Sequence, residues 1–118
     1  MVSPNKILKE FDYKFFENPD ALINSVDVVS IITPTISHFK IAEKAIKASK
    51  HLFIEKPIAQ TDDEANTLVN LAIDYKVFGQ VGHVERFNPA YQSIKSTLIN
   101  PMFIEAHRLA EFNPRGTD

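Results

Sequence analysis

The sequence predicts an α/β protein, with a partial parallel sheet followed by the start of a second, α+β domain. Between residues 26 and 84, three short apolar segments alternate with two amphipathic patterns of helical period. After residue 84, two Asn-Pro signals and a partly alternating segment replace that order. The length of 118 residues suits one ordinary domain, or one small domain with a piece of another.

The three apolar segments are predicted to be parallel strands. They are Val26–Thr33, His51–Glu55 and Val77–Val84, and Pro34 and Pro57 close the first two. The first segment is continuously apolar, which is typical of a strand covered by helices on both faces. Strands separated by helices of this length favour right-handed crossovers and therefore a parallel sheet.

Capping residues and periodicity predict the helices. Asn18 followed by Pro19 indicates a short helix that reaches about Asn24. Thr61 and Glu64 have the spacing of a capping box and open a second helix. Between these, residues 36–49 predict a helix with one face formed by Ile41, Ala42, Ala45, Ile46 and Ser49.

Turn signals divide the rest of the chain. Asn88 and Pro89 predict a helix to about Ile99, and Met102–Leu109 predicts a strand of the antiparallel kind, with one wetter face. Upstream, residues 4–10 are predicted to be the tail of a helix.

The predicted domains follow from that last strand. A lone strand lacks the ladder partners that would stabilise it. We therefore expect a partial first domain at residues 1–85 and the start of a truncated second domain at residues 86–118, with the boundary near residues 84–88.

Composition excludes several classes of function. Thirteen Lys and Arg against fifteen Asp and Glu give a formal net charge of −2, so no electrostatic feature indicates a nucleic acid or an anionic membrane as partner. Cysteine is absent, which removes disulfides, thiolate nucleophiles and Cys-ligated metals. No apolar run has the length of a membrane span and the N-terminus lacks the order of a signal peptide, so a cytoplasmic location is expected.

Motif spacing narrows the chemistry further. The three glycines, Gly79, Gly82 and Gly116, cannot supply a Gly-x-Gly-x-x-Gly turn or a phosphate-binding loop. The four histidines match no metal-ligand spacing, so no metal is predicted. There is no Gly-x-Ser-x-Gly elbow, which argues against a serine hydrolase.

Candidate functional residues lie where the predicted strands end, which is where ligands bind in sheets of this kind. Polar groups follow all three strands, at Thr33-Pro34-Thr35, Glu55-Lys56-Pro57 and residues 82–86. Lys56 is a candidate acid/base group. The alternative is an exposed Lys at the start of a loop, partly neutralised by Glu55.

Three further side chains have two interpretations each. His38 is either a ligand contact or an ordinary residue of the first turn of a helix. Arg86 and Asn88 either hold an anionic or sugar substrate, or they are a hinge Arg paired with Glu85 and a helix N-cap.

The ordered series TPT…H, EKP and GHxxRFNP gives the sequence a family resemblance. The stretch VDVVSIITPTISHFKIAEKAIKASKHLFIEKPIAQTDDEANTLVNLA, followed by VGHVERFNPA, resembles the Gfo/Idh/MocA family of NAD(P)-dependent oxidoreductases, and the resemblance covers nearly the whole chain. It implies a partial Rossmann-like, dinucleotide-binding domain and then the start of a substrate and oligomerisation domain. It also implies hydride transfer between NAD or NADP and a sugar, nucleotide-sugar or polyol carbon.

The resemblance implies roles for the candidate residues. Lys56 would be catalytic and would handle the hydroxyl proton of the substrate. Arg86 and Asn88 would border the substrate cleft. The residues on the cofactor side would be Thr33, Pro34, His38, Glu55 and Lys56.

The sequence also departs from the family pattern. The family's Gly-rich turn, which seats the cofactor pyrophosphate on a helix N-terminus, is absent, and its catalytic Asp and His would lie beyond Asp118. We therefore expect impaired NAD(P) binding and a weak or inactive enzyme in this chain. The alternative is a noncatalytic α/β remnant or self-association module. In either case the open sheet edges favour a homo-oligomer.

Overall fold

The computed structural model describes residues 13–97, 100–105, 107 and 109. Three strands, three α-helices that precede, connect and cover them, and a fourth helix beyond them make up the ordered elements. In chain order these are α1 (Pro19–Asn24), β1 (Val28–Ile31), a 3₁₀ turn (Thr35–Ser37), α2 (His38–Lys47), β2 (His51–Ile54), α3 (Asp62–Asp74), β3 (Gly79–Val81), a 3₁₀ turn (Val84–Phe87), α4 (Pro89–Ile94) and a 3₁₀ turn (Lys95–Thr97).

The strands form one parallel sheet in the order β1-β2-β3. Ile31 pairs with Ile54, and Ile54 pairs with Val81, so the last residues of the three strands stand side by side. The predicted α/β class and partial parallel sheet are thereby confirmed. Each strand is shorter than its apolar segment, because the outermost residues of the segments extend beyond the paired ladder.

Alternate residues of β1 and β2 build the core beneath one face of the sheet. Helix α2 packs against both strands and against α3. Each fully buried aliphatic side chain contributes roughly 1.5–3 kcal/mol to the stability of the fold. The buried side chains of this layer are Ile23, Val29, Ile31, Ala42, Ala45, Ile46, Leu52, Ile54 and Leu68.

The opposite face of the sheet is open in the described part of the chain. Val28, Ile32 and Phe78 are 57%, 73% and 80% exposed. The prediction that β1 is covered on both faces is therefore wrong for these residues. The cause is the strand order: two right-handed crossovers that step in the same direction place α2 and α3 on the same face.

Helices α2 and α3 both end on a left-handed residue that is not glycine. Ser49 has φ 58° and Lys76 has φ 54°, although this conformation favours glycine. After α2, the Lys50 N–H donates to the Ala45 carbonyl at 2.9 Å, the bond that closes a Schellman turn. These tight ends lead the chain directly from α2 into β2 and from α3 towards β3.

Side-chain caps begin α1 and α3 as the sequence predicts. Asn18 Oδ1 accepts from the Asp20 N–H at 2.8 Å, and Thr61 Oγ1 accepts from the Glu64 N–H at 3.2 Å. The Glu64 carboxylate accepts from the Gln60 N–H at 3.1 Å, one residue earlier than in a standard capping box. The start of α3 is therefore fixed by its own sequence.

The chain beyond β3 differs from the prediction in one element. Helix α4 begins as expected and ends at Ile94 in a 3₁₀ turn, and residues 98 and 99 lie outside the described part. The predicted strand Met102–Leu109 is wrong for residues 102–105, 107 and 109, which form no strand, because the described chain offers them no ladder partner. The helix tail predicted at residues 4–10 lies outside the described residues, and the domain boundary stays a prediction.

Candidate active site

The carboxyl edge of the sheet gathers the candidate residues. Because the strands end level with one another, Thr33, Lys56 and His83 each lie two residues beyond a strand end. The backbone ladder continues for one residue past the strands, where Glu55 and Gly82 donate their N–H groups to the preceding strand at 3.0 and 2.8 Å. Parallel pairing thus brings three distant segments of the sequence to one edge.

The segment after β1 presents a hydroxyl group. Thr33 and Pro34 are exposed. The Ser37 hydroxyl lies 2.8 Å from Thr33 Oγ1 and 2.7 Å from the Pro34 carbonyl oxygen. These contacts hold the turn into α2 and leave the Thr33 and Pro34 side chains accessible.

His38 joins the first segment to the second. Its side chain is 1% exposed, with Nε2 2.8 Å from the Thr33 carbonyl oxygen and Nδ1 2.8 Å from the Pro57 carbonyl oxygen. Each ring nitrogen therefore faces a backbone carbonyl oxygen, 5 and 19 residues away along the chain, and the nitrogen that carries the hydrogen donates to its carbonyl. The ring shapes the edge, and the predicted contact between His38 and a cofactor stays a prediction.

The segment after β2 carries the two ionisable candidates. Glu55 is half-buried, Lys56 is exposed, and the Lys56–Pro57 peptide is cis. Glu55 Oε2 accepts from the backbone N–H of Lys56 at 3.1 Å, and no ion pair within residues 13–97 joins the two side chains. Glu55 thus holds the Lys56 backbone, and the ammonium is accessible at the edge.

The segment after β3 contains the predicted substrate residues. Arg86 lies in the 3₁₀ turn Val84–Phe87, and it is exposed. Asn88 Nδ2 donates to Glu85 Oε2 at 2.8 Å, and its Oδ1 accepts from the Ala90 N–H at 3.0 Å. Asn88 therefore caps α4, as one of its two interpretations requires, and the substrate contact predicted for it stays a prediction.

Two features of the edge had no clear signal in the sequence. Gly82 is buried beneath the carboxylate of Glu55, and His38 Nδ1 lies 2.8 Å from the Pro57 carbonyl oxygen. Both contacts join residues at least nineteen positions apart, which local patterns do not encode. In the described residues, no group of three or more His, Asp and Glu side chains could hold a metal ion.

An apolar groove of about 270 Å³ lies beside β3. Its wall includes Leu68, Val69, Ala72, Ile73 and Val81, and none of the predicted site residues. Polar groups that could orient a substrate gather instead at the carboxyl edge, which is where sheets of this kind bind ligands. The edge is therefore the candidate active site.

Comparison with known proteins agrees with this geometry. The family described as an oxidoreductase family with an NAD-binding Rossmann fold matches residues 3–83. The chain belongs to the Gfo/Idh/MocA family. The resemblance seen in the sequence is thereby confirmed, and the match spans the sheet and the first two segments of the edge.

Two of the named relatives are a nucleotide-sugar dehydrogenase and an inositol dehydrogenase. UDP-N-acetylglucosamine 3-dehydrogenase of Acidithiobacillus ferrooxidans is 39% identical over 96% of this chain and 36% of its own length. The scyllo-inositol 2-dehydrogenase (NAD(+)) of Bacillus subtilis is 34% identical over 73% of this chain and 24% of its own. The chain therefore spans about a third or less of these relatives.

Solved structures of Gfo/Idh/MocA relatives share the fold. The A. ferrooxidans UDP-N-acetylglucosamine 3-dehydrogenase matches 97% of this chain and 38% of its own, with a TM-score of 0.84 and 38% identity. Biliverdin reductase of Synechocystis sp. PCC 6803, in complex with biliverdin and NADP+, matches 80% of this chain and 30% of its own, with a TM-score of 0.72 and 32% identity.

Within the described part of the chain, no helix has both the length and the apolar character needed to cross a bilayer.

Proposed function

We propose that this chain forms the nicotinamide side of an NAD(P)-dependent dehydrogenase that acts on a sugar, nucleotide-sugar or polyol. The observation that supports it best is the carboxyl edge, where Thr33, Lys56 and the Gly82–Asn88 segment follow three strands that end level. Membership of the oxidoreductase family supports the same function. When bound, the nicotinamide would supply the acceptor or donor of hydride.

The side chains at the edge suit a nicotinamide beside a hydroxylated substrate. Thr33 offers an exposed hydroxyl, Lys56 an exposed ammonium and Glu55 a half-buried carboxylate. These groups donate and accept hydrogen bonds within one short stretch of surface. The three glycines form no Gly-rich turn, so we assign no pyrophosphate contact to this chain and propose that the 118 residues alone bind NAD(H) weakly.

Lys56 is the proposed catalytic residue. During oxidation the substrate carbon loses a hydride and its hydroxyl oxygen loses a proton, which passes to the side-chain nitrogen of Lys56. During reduction the ammonium returns it. The Lys56 backbone is held by Glu55 at 3.1 Å, which keeps the base of the side chain in place while its end reaches the substrate.

A nucleotide sugar is the narrower substrate that we propose. The support is the relative of 39% identity, which is named for its action on UDP-N-acetylglucosamine. Arg86 is exposed beside the edge and carries the positive charge that a diphosphate requires.

The test uses this chain alone and a hybrid in which it replaces the matching part of the A. ferrooxidans enzyme. The hybrid is expected to bind NADH and oxidise UDP-N-acetylglucosamine. Lys56→Met is expected to lower kcat by about 10²–10⁴-fold, the usual contribution of a general base, while NADH binding is retained. Stopped-flow absorbance of NADH measures kcat, and fluorescence titration measures NADH binding.

Lys50→Met is the matched control, because Lys50 lies one residue before β2, at the opposite end of that strand. Its turnover should equal that of the unmodified hybrid. Equal turnover of the Lys56→Met hybrid would overturn the role of Lys56. NADH binding by the chain alone as tight as by the hybrid would overturn the proposal of weak binding.

A second candidate function, a self-association module, is favoured by the open face of the sheet. Val28, Ile32 and Phe78 expose an apolar surface there. Sedimentation of the chain at several concentrations tests this candidate, with Phe78→Lys as the variant. A concentration-dependent dimer that the variant abolishes would support it, and a monomer at all concentrations would exclude it.

A further inference from the structure

Gly82 is buried at the carboxyl edge, and the space above its Cα is already filled. A Cβ at this position would lie 3.1 Å from Glu55 Oε2 and 3.2 Å from both Cδ and Oε1. These distances are shorter than ordinary van der Waals contacts. The carboxylate of Glu55 therefore lies flat against the bare backbone of Gly82.

The need for glycine here is steric rather than conformational. No described glycine has a positive φ, so the backbone of Gly82 is one that other residues also adopt. Its N–H donates to the Ile54 carbonyl at 2.8 Å, which fixes Gly82 directly beside Glu55 in the extended ladder. The three atoms nearest to an added Cβ at Gly82 all belong to the Glu55 carboxylate.

The Glu55 carboxylate in turn holds the next residue. The Glu55 backbone N–H donates to the Ile31 carbonyl at 3.0 Å, and its carboxylate turns back to accept from the Lys56 N–H at 3.1 Å. A hydrogen bond to an ionised acceptor is stronger than one between neutral groups. The orientation of the Lys56 backbone is thus linked to the place of the carboxylate.

We infer that Gly82 is a positioning residue. Because Gly82 has no side chain, the Glu55 carboxylate can lie where it accepts a hydrogen bond from the Lys56 N–H, and this contact orients Lys56 at the carboxyl edge. The placement of the Glu55 carboxylate follows from its distances to Gly82 and to the Lys56 N–H, and only the effect on turnover rests on the proposed function. The link runs from the third segment of the edge to the second, between residues that are 26 positions apart.

The first experiment tests the contact between the Glu55 carboxylate and the Lys56 N–H directly, without any assay of activity. In proton–nitrogen NMR spectra of the 118-residue chain, the Lys56 amide shift should follow the ionisation of the Glu55 carboxyl during an acid titration. Gly82→Ala should weaken this response, because the added Cβ displaces the carboxylate from the Lys56 amide. Gly79→Ala is the matched control, since a Cβ at Gly79 meets nothing within 4 Å, and it should retain the response.

An unchanged Lys56 response in Gly82→Ala would overturn the inference, and so would an equal loss in Gly79→Ala. Glu55→Gln should remove the response in any background. If the Lys56→Met hybrid keeps its turnover, the proposed function fails. The NMR result still decides whether Gly82 positions the Glu55 carboxylate at the Lys56 N–H.

The second experiment measures the effect on chemistry in the hybrid. Gly82→Ala is expected to lower kcat by about tenfold to a hundredfold, the usual result of displacing a reacting group by a fraction of an ångström to an ångström, with a smaller change in KM. In a Glu55→Ala background, Gly82→Ala should have no further effect, because the displaced group is gone. Independent, multiplying effects of the two substitutions would contradict the inference.

Discussion

The α/β layer (residues 19–82) and the C-terminal segment (described residues from His83 onward) use the same local signals but differ in burial. Every buried residue that the structure describes lies in the α/β layer, and every described residue of the C-terminal segment is exposed. Helix α2 packs on β1, β2 and α3, whereas α4 makes its main contacts with the 3₁₀ turns on either side of it.

This difference separates what forms a helix from what stabilises a fold. Both regions have Asn-Pro starts and side-chain caps, which determine where a helix begins. Among the described residues, only the helices of the α/β layer bury apolar side chains, and such burial provides most of the stability of helices in proteins. The proposed site spans both regions, since Lys56 extends from the α/β layer while Arg86 and Asn88 belong to the C-terminal segment.

The largest expected effect compares two isoleucines in the two regions. Ile46 of α2 is 1% exposed and Ile94 of α4 is 49% exposed. Ile46→Ala should lower the free energy of unfolding by about 2–5 kcal/mol, because it removes buried methyl groups and leaves a cavity. Ile94→Ala should change it by less than about 0.5 kcal/mol, as is usual for exposed positions. Urea unfolding followed by circular dichroism measures both.

A loss from Ile94→Ala as large as that from Ile46→Ala would break the comparison. It would mean that α4 is buried against other chains or segments in solution. Repeating the measurement over a range of protein concentrations separates these cases, since only association makes the loss depend on concentration.

The sequence predicts the α/β layer well because its signals are local and its faces are periodic. The apolar face of α2, with Ala42, Ala45 and Ile46, is the face that the structure buries. Thr61 and Asn18 cap helices as predicted. Carboxyl-edge positions for Thr33 and Lys56 followed from the parallel topology alone.

What the sequence could not predict depends on contacts between distant residues. The open face of the sheet follows from the direction of both crossovers, which a continuously apolar β1 does not reveal. His38 reads as a first-turn residue, and its two carbonyl contacts depend on where residue 57 lies in space. The strand expected at Met102–Leu109 required a partner that no local pattern could supply.

The second expected effect compares two histidines. His38 is buried with both ring nitrogens 2.8 Å from carbonyl oxygens, whereas His107 is exposed and lies 2.6 Å from Glu105. His38→Ala should lower the free energy of unfolding by about 3 kcal/mol, because it removes a buried ring together with its contacts to the Thr33 and Pro57 carbonyl oxygens. His107→Ala should leave the urea midpoint unchanged, since substitutions of exposed side chains change stability little.

Equal urea midpoints for the His38→Ala and His107→Ala variants would contradict the structural role of His38. His38→Asn sharpens the result, because its amide can still reach one of the two carbonyl groups. An intermediate midpoint is therefore expected for that variant.

The smallest expected effect compares two N-caps. Thr61 caps α3, which buries Leu68, and Asn88 caps α4, which buries no residue. Thr61→Ala should lower the free energy of unfolding by about 1 kcal/mol, the usual value of a lost cap. Asn88→Ala should leave global stability unchanged but raise amide exchange over residues 90–94, because a helix without buried contacts unfolds locally. Hydrogen exchange measured by NMR, residue by residue, separates the two results. A global loss from Asn88→Ala would show that α4 unfolds together with the sheet, and the two regions would then form one cooperative unit.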